Sequence, residues 1–146
     1  MILTNIFNPF MILLLRSPLH MLASKSTLLI TFTGRKSGKS YTTPVNYVPD
    51  GDVLYIVSLR SRTWWRNLRG GAHVIVRLRG RSLEAEGDVI EDYESVEKEL
   101  MKYLQKVPQY GRYFKVRLDP GGHPDPEDVA RAAQDRVMIR LLSFQI

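Results

Sequence analysis

The chain contains no cysteine. Disulfides, thiolate nucleophiles and Cys-ligated metals are therefore excluded, and nothing points to secretion. Histidine is nearly absent as well. His20, His73 and His123 lie far apart without the paired spacing of a metal site, and no metal is expected. No apolar run reaches the length of a bilayer span; the longest, Phe10 to Leu15, stops at Arg16. The ordered basic, apolar and small-residue pattern of a signal peptide is missing too. There is no internal repeat, low-complexity stretch or interdomain linker, so residues 1–146 are read as one domain. Acidic residues are the scarcer charge: 15 Asp and Glu stand against 21 Lys and Arg, leaving a net charge of +6. Such an excess suits an anionic partner, whether nucleic acid, a lipid surface or a polyanionic ligand. With 44% hydrophobic residues the chain has material for a core and is not a disordered segment.

Positive charge is densest at Gly34-Arg35-Lys36-Ser37-Gly38-Lys39-Ser40, which puts three cations, two glycines and two hydroxyls into seven residues. Glycines let the backbone turn sharply with amides exposed, and Lys and Arg add donors for phosphate or carboxylate. A nucleotide P-loop needs four residues between its glycines and a helix after its Lys-Ser. Here three intervene, Arg35 to Ser37, and the next residues, Tyr41 to Val48, read as an edge-type strand. The turn is either a solvated basic hairpin or the holder of a ligand's anionic tail.

The segment 1–24 reads as one or two short helices around Pro9 and Pro18, whose apolar faces either cap the domain or touch a membrane. Strands are expected over Thr27 to Thr33, Tyr41 to Val48, Val53 to Leu59, Ala72 to Arg79, Ser82 to Glu91 and Val137 to Phe144. The first three are expected to form successive hairpins, the second and third joined at the Pro49-Asp50-Gly51-Asp52 turn. Thr63 to Gly70 frames a short helix with Thr63 as N-cap. Of its adjacent Trp64 and Trp65, one is expected in the core and the other free to line a site. Asp92 or Ser95 caps a helix to about Val107, with Val96, Leu100, Tyr103 and Leu104 on one side. Asp125 caps another, with Pro126 at its first position. Six mostly antiparallel strands with few helices give a mainly β, α+β domain closed into a β-barrel or a split one.

Taken together, Gly34 to Lys39, Thr43-Pro44-Val45, Asp50-Gly51 and Trp64-Trp65-Arg66-Asn67-Leu68 resemble the deazaflavin-dependent nitroreductase family. Ser17-Pro18-Leu19-His20 and Val76-Arg77-Leu78-Arg79-Gly80 are similar to it as well. The resemblance implies a six-stranded antiparallel split β-barrel of the FMN-binding kind with flanking helices. It also implies coenzyme F420, an 8-hydroxy-5-deazaflavin with a phosphate and an oligoglutamate tail, and hydride transfer to a quinone, nitroaromatic compound or enone. On this resemblance Arg35, Lys36, Ser37, Gly38 and Lys39 hold the tail. Thr43 and Pro44 lie along the ring system, and Ser58, Trp64 and Asn67 line the cofactor cleft. Tyr110 and Tyr113 fall where some members place substrate-facing tyrosines, and with Ser58 they are the candidate catalytic residues. Asn46 stands where those nitroreductases carry an aromatic residue, and the loop Leu59 to Thr63 is shorter than in some members.

Three rival readings remain. One is an FMN enzyme on the same barrel. Another is a barrel that binds coenzyme without turnover. The last is a nucleic-acid module, suggested by seven arginines between Arg60 and Arg81 with two tryptophans. The expectation is a small-molecule substrate without nucleic acid and a cytoplasmic site. Homodimerisation and peripheral contact at the inner face of the membrane are left open.

Overall fold

The computed structural model describes residues 27–143. The expected N-terminal helical segment, 1–24, and the strand end Phe144 lie outside them. Seven antiparallel strands form one sheet: β1 (Thr27–Thr33), β2 (Ser40–Asn46), β3 (Val48–Asp50), β4 (Val53–Leu59), β5 (Ala72–Leu78), β6 (Arg81–Ile90) and β7 (Arg136–Ser143). A 3-10 helix, Trp64–Leu68, follows β4. Helix α1 (Tyr93–Lys106), a second 3-10 helix (Pro108–Phe114) and helix α2 (Pro126–Ala133) lie between β6 and β7. The strand order is β2-β1-β5-β6-β7-β4-β3.

Two expectations are corrected here. Seven strands replace six, because the run Tyr41 to Val48 breaks at Tyr47. Ser40–Asn46 pairs with β1, whereas Val48–Asp50 pairs with β4 at the opposite edge of the sheet. Tyr47, at the break, is buried in the core. The two expected hairpins form, β1 with β2 and β3 with β4, but no single middle strand links them: β1 takes β5 as its second neighbour and β4 takes β7. The sheet closes incompletely: β2, at one edge, comes back beside β4 without pairing to it.

Period-2 alternation explains the interior. Leu28, Ile30 and Phe32 of β1, Val74 and Val76 of β5, and Val137, Ile139 and Leu141 of β7 point into one cluster. Met138, between two of those residues, faces the other way and packs with Val96, Leu100 and Leu104 of α1 and Val129, Ala132 and Ala133 of α2. β7 is thus buried on both faces over 137–139, while Leu142 near its end stays exposed, and each large apolar side chain so covered contributes about 1.5–3 kcal/mol. Trp64, Trp65 and Leu68 of the 3-10 helix plug the barrel. Both tryptophans are buried, and Trp64 also lines a cleft described below. Thr63 precedes that helix but makes no side-chain capping bond.

The α-helices follow their sequence signals. Asp92 accepts the Ser95 amide at 3.0 Å, and the Ser95 side chain first and then this amide hold its carboxyl below the ordinary carboxylate value. Asp125 accepts the Asp128 amide at 3.0 Å. Asp128 in turn takes the Arg117 guanidinium Nε at 2.8 Å and the Arg117 amide at 3.0 Å, which pull its pKa down to about 2. This pair ties the segment after the second 3-10 helix to α2. Burial, the larger effect, and the neighbouring Tyr110 push the Tyr103 phenol above its ordinary pKa.

Candidate functional site

The β1–β2 hairpin ends in the basic turn. Gly38 N–H donates to the Gly34 carbonyl at 2.8 Å, and Gly34 N–H donates to the Lys39 carbonyl at 2.8 Å. Gly38 takes φ +72, where a side chain is strained. Gly34 is needed for room: a Cβ there would stand 2.7 Å from the Tyr41 ring and 2.7 Å from Ser37 Oγ. Ser37 Oγ accepts the Lys39 amide at 3.1 Å and shares a hydrogen bond with the Tyr41 hydroxyl at 3.1 Å.

This turn docks on the first 3-10 helix. The Arg35 amide donates to Asn67 Oδ1 at 2.9 Å, and Asn67 Nδ2 donates to the Trp64 carbonyl at 2.9 Å. The Arg35 guanidinium donates to the Arg69 carbonyl. Between turn and helix lies a cavity of about 600 Å³ lined by Gly34, Arg35, Lys36, Ser37, Tyr41, Thr63, Arg66, Asn67 and Arg69. Arg35 is committed to backbone, and Arg69 to Glu91 at 2.8 and 2.9 Å, which raises the arginine's pKa. Lys36 makes no ion pair among the described residues, and Arg66 lies over the Trp65 ring at 5.6 Å. The amides of Lys36 and Ser37 have no hydrogen-bond partner among the described residues. No carboxylate among the described residues lines the cavity. Such a donor set suits a polyanion.

A second cleft, of about 330 Å³, opens where β2 comes back beside β4. Pro44, Val45 and Asn46 form one wall and Val57, Ser58 and Leu59 the other, with Thr27, Arg62, Trp64 and Arg136 completing it. Thr63 lines the basic cavity and Trp64 this cleft, so the two are lined by consecutive residues. Trp64 packs on Phe32 with ring centroids 5.7 Å apart.

The structure brings together most of the residues proposed from sequence. Arg35, Lys36, Ser37 and Asn67 line the basic cavity, and Gly38 and Lys39 close its turn. Pro44, Ser58 and Trp64 line the cleft, and Thr43 is buried next to Pro44. Tyr110 and Tyr113 stand apart from both. Tyr110 packs against Tyr103 at 6.4 Å, and Tyr113, 63% exposed, meets Tyr110 edge-on at 5.9 Å. Neither lines the cleft or the cavity. Sequence reasoning missed Tyr41, Arg62, Arg66 and Arg136. Arg66 carried a signal, since it sits between Trp65 and Asn67 in the helix motif. Arg136 carried none, because only the Leu59↔Arg136 register of β4 and β7 brings it there.

A family model for F420H(2)-dependent quinone reductase matches residues 18–117. The chain belongs to that family. It is an F420-dependent oxidoreductase, and its two cavities lie on elements that the family match covers, Arg136 excepted. Among curated proteins no match is found. Solved structures share the fold at low identity. A candidate pyridoxamine 5′-phosphate oxidase from Listeria innocua is 16% identical, with a TM-score of 0.54 over 87% of this chain and 90% of its own. A conserved hypothetical protein from Mycobacterium tuberculosis is 16% identical, with a TM-score of 0.53 over 88% and 81%. The Vibrio cholerae heme storage protein HutZ is 15% identical, with a TM-score of 0.51 over 83% of each. These likenesses extend to the fold alone. The split-barrel class is thereby upheld for the F420-dependent reductase. No helix among the described residues is long and apolar enough to cross a membrane.

Proposed function

We propose that the protein transfers a hydride from reduced F420 to a quinone, nitroaromatic or enone acceptor at the cleft between β2 and β4. One observation carries this reading: a cationic cavity and a partly apolar cleft are lined by the consecutive residues Thr63 and Trp64. A ligand with a planar ring at one end and several negative charges at the other needs that division.

Lys36, Lys39 and Arg66, with the open amides of Lys36 and Ser37, hold the phosphate and carboxylates of the tail. Arg35 and Asn67 set the position of the turn against the helix. Pro44, Val45 and Trp64 give the ring an apolar bed, and Ser58 fixes its edge. FMN is less well matched, because it carries one phosphate to satisfy a donor set of this size. When bound, the reduced coenzyme supplies the hydride. The chain's part is to orient ring and acceptor and to limit water in the cleft.

Ser58 is a positioning group in this scheme. Its hydroxyl donates to the Leu59 carbonyl at 3.2 Å, so its hydrogen is already engaged. Parallel titration of the purified protein with reduced F420 and with FMN tests the reading. One-to-one binding of F420 with a spectral change supports it; tighter binding of FMN sinks it.

A further inference from the structure

The cleft carries charge of one sign. Among the described residues its lining includes two ionisable groups, Arg62 and Arg136, and no carboxylate. Arg136 is compensated: its guanidinium pairs with Asp135 and lies 5.1 Å over the Phe114 ring. Arg62 is not. Its side chain is exposed and makes no ion pair or hydrogen bond among the described residues. Its backbone is fixed, however, because the Arg62 amide donates to the Leu59 carbonyl at 3.1 Å. Arg60 pins the same loop. Its amide donates to the Asp135 carbonyl at 2.7 Å, and its guanidinium donates to the carbonyls of Glu91 at 2.8 Å and Arg136 at 2.9 Å. The neutral hydroxyls of the cleft are engaged elsewhere, Ser58 on Leu59 and Thr27 on Asn46 Oδ1 at 3.1 Å. Arg62 is therefore the charged donor that an incoming molecule meets uncompensated.

We propose that Arg62 is a specificity residue for an anionic acceptor: a quinone bearing a carboxylate or sulfonate, held by its acid group at the open end of the cleft. The proposal rests on the function proposed above. The redox step is unchanged. The quinone gains a hydride, hence two electrons and one hydrogen, and the reduced coenzyme is oxidised by the same amount. A proton from water then completes the hydroquinone. Arg62 acts on binding rather than on that step, and a positive field at the mouth also draws such acceptors in.

The test compares the parent with Arg62→Met and Arg62→Lys, using menadione and a naphthoquinone sulfonate. In Arg62→Met the KM for the sulfonate should rise about tenfold with kcat little changed, while both constants for menadione stay within twofold. Arg62→Lys should recover most of the loss. Without coenzyme, quenching of tryptophan fluorescence by the sulfonate should weaken about tenfold in Arg62→Met and fade with added salt in the parent. Equal losses for both quinones, or no loss for either, would overturn the proposal. A tenfold weaker F420 affinity in Arg62→Met would also overturn it, by assigning Arg62 to the coenzyme. A parent that fails to bind F420 at all would instead remove the function on which the proposal stands.

Discussion

Asn67 joins two parts of the site that are 32 residues apart in the chain, accepting the Arg35 amide at 2.9 Å while its own amide group holds the Trp64 carbonyl at 2.9 Å. The basic turn has few other ties to the helix. Asn67→Leu removes both bonds and should weaken F420 binding by up to about thirtyfold, in line with about 1 kcal/mol for each hydrogen bond. Titration followed by fluorescence checks it. Parent-like affinity would mean the turn is held by Arg35 alone.

The lysines of the turn should carry affinity without carrying stability. Arg35 has a structural share through the Arg69 carbonyl, so the double variant Lys36→Ala/Lys39→Ala is a cleaner probe than one that also removes Arg35. Charge-assisted hydrogen bonds contribute about 1.5–3 kcal/mol each. F420 affinity should fall by about 100-fold or more, with thermal midpoint unchanged because both side chains face solvent. Adding Arg35→Ala should abolish binding and lower the midpoint as well.

Gly34→Ala tests the packing of the turn. The added Cβ meets the Tyr41 ring and Ser37 Oγ at 2.7 Å, inside any ordinary contact. Overpacking of this kind costs about 1–3 kcal/mol. Chemical denaturation should show that loss, and F420 binding should weaken with it because Ser37 must shift.

The tyrosines on the second 3-10 helix line neither cavity, so the phenylalanine variants are informative. Tyr110→Phe and Tyr113→Phe, singly and together, should oxidise reduced F420 with menadione at the parent rate within about twofold in single-turnover measurements. A fall approaching 100-fold, the scale for losing a main oxyanion donor, would place a tyrosine hydroxyl at the acceptor.

Acid should act through Asp128. Its folded pKa of about 2, set by Arg117, lies below the unfolded value of about 3.9. A depressed carboxylate contributes stability that is fully present above the unfolded value and is lost as pH falls toward the folded one. Asp128→Asn should therefore be less stable at pH 7, with a shallower decline between about pH 4 and pH 2. Urea melts across that range would show it.

Much of this structure is legible locally. Thr27–Thr33 and Val53–Leu59 are strands to the residue, because turn signals flank a short apolar run on both sides. Asp92 and Asp125 mark their helices because capping is a contact over three residues. What escapes is non-local. Nothing at Tyr47 breaks a strand; the chain crosses there to the far edge of the sheet, and only the tertiary pairing decides that. The burial of both tryptophans has the same origin. Neighbouring positions point different ways, and here Trp64 finds Phe32 while Arg69 lies 5.1 Å from the Trp65 ring. The basic turn and Trp64 were readable from motif. The cleft's Arg136 was not, because only the β4–β7 register sets it beside Leu59.

The place of β7 has a consequence for the order of assembly. It is the last strand among the described residues, yet it lies between β6 and β4 in the sheet. Until it pairs, residues 44–46 and 57–59 belong to two separate groups of strands, β2-β1-β5-β6 and β4-β3. The two walls of the cleft are therefore set against each other only by a long-range pairing, and F420 can select only molecules in which β7 is already in place.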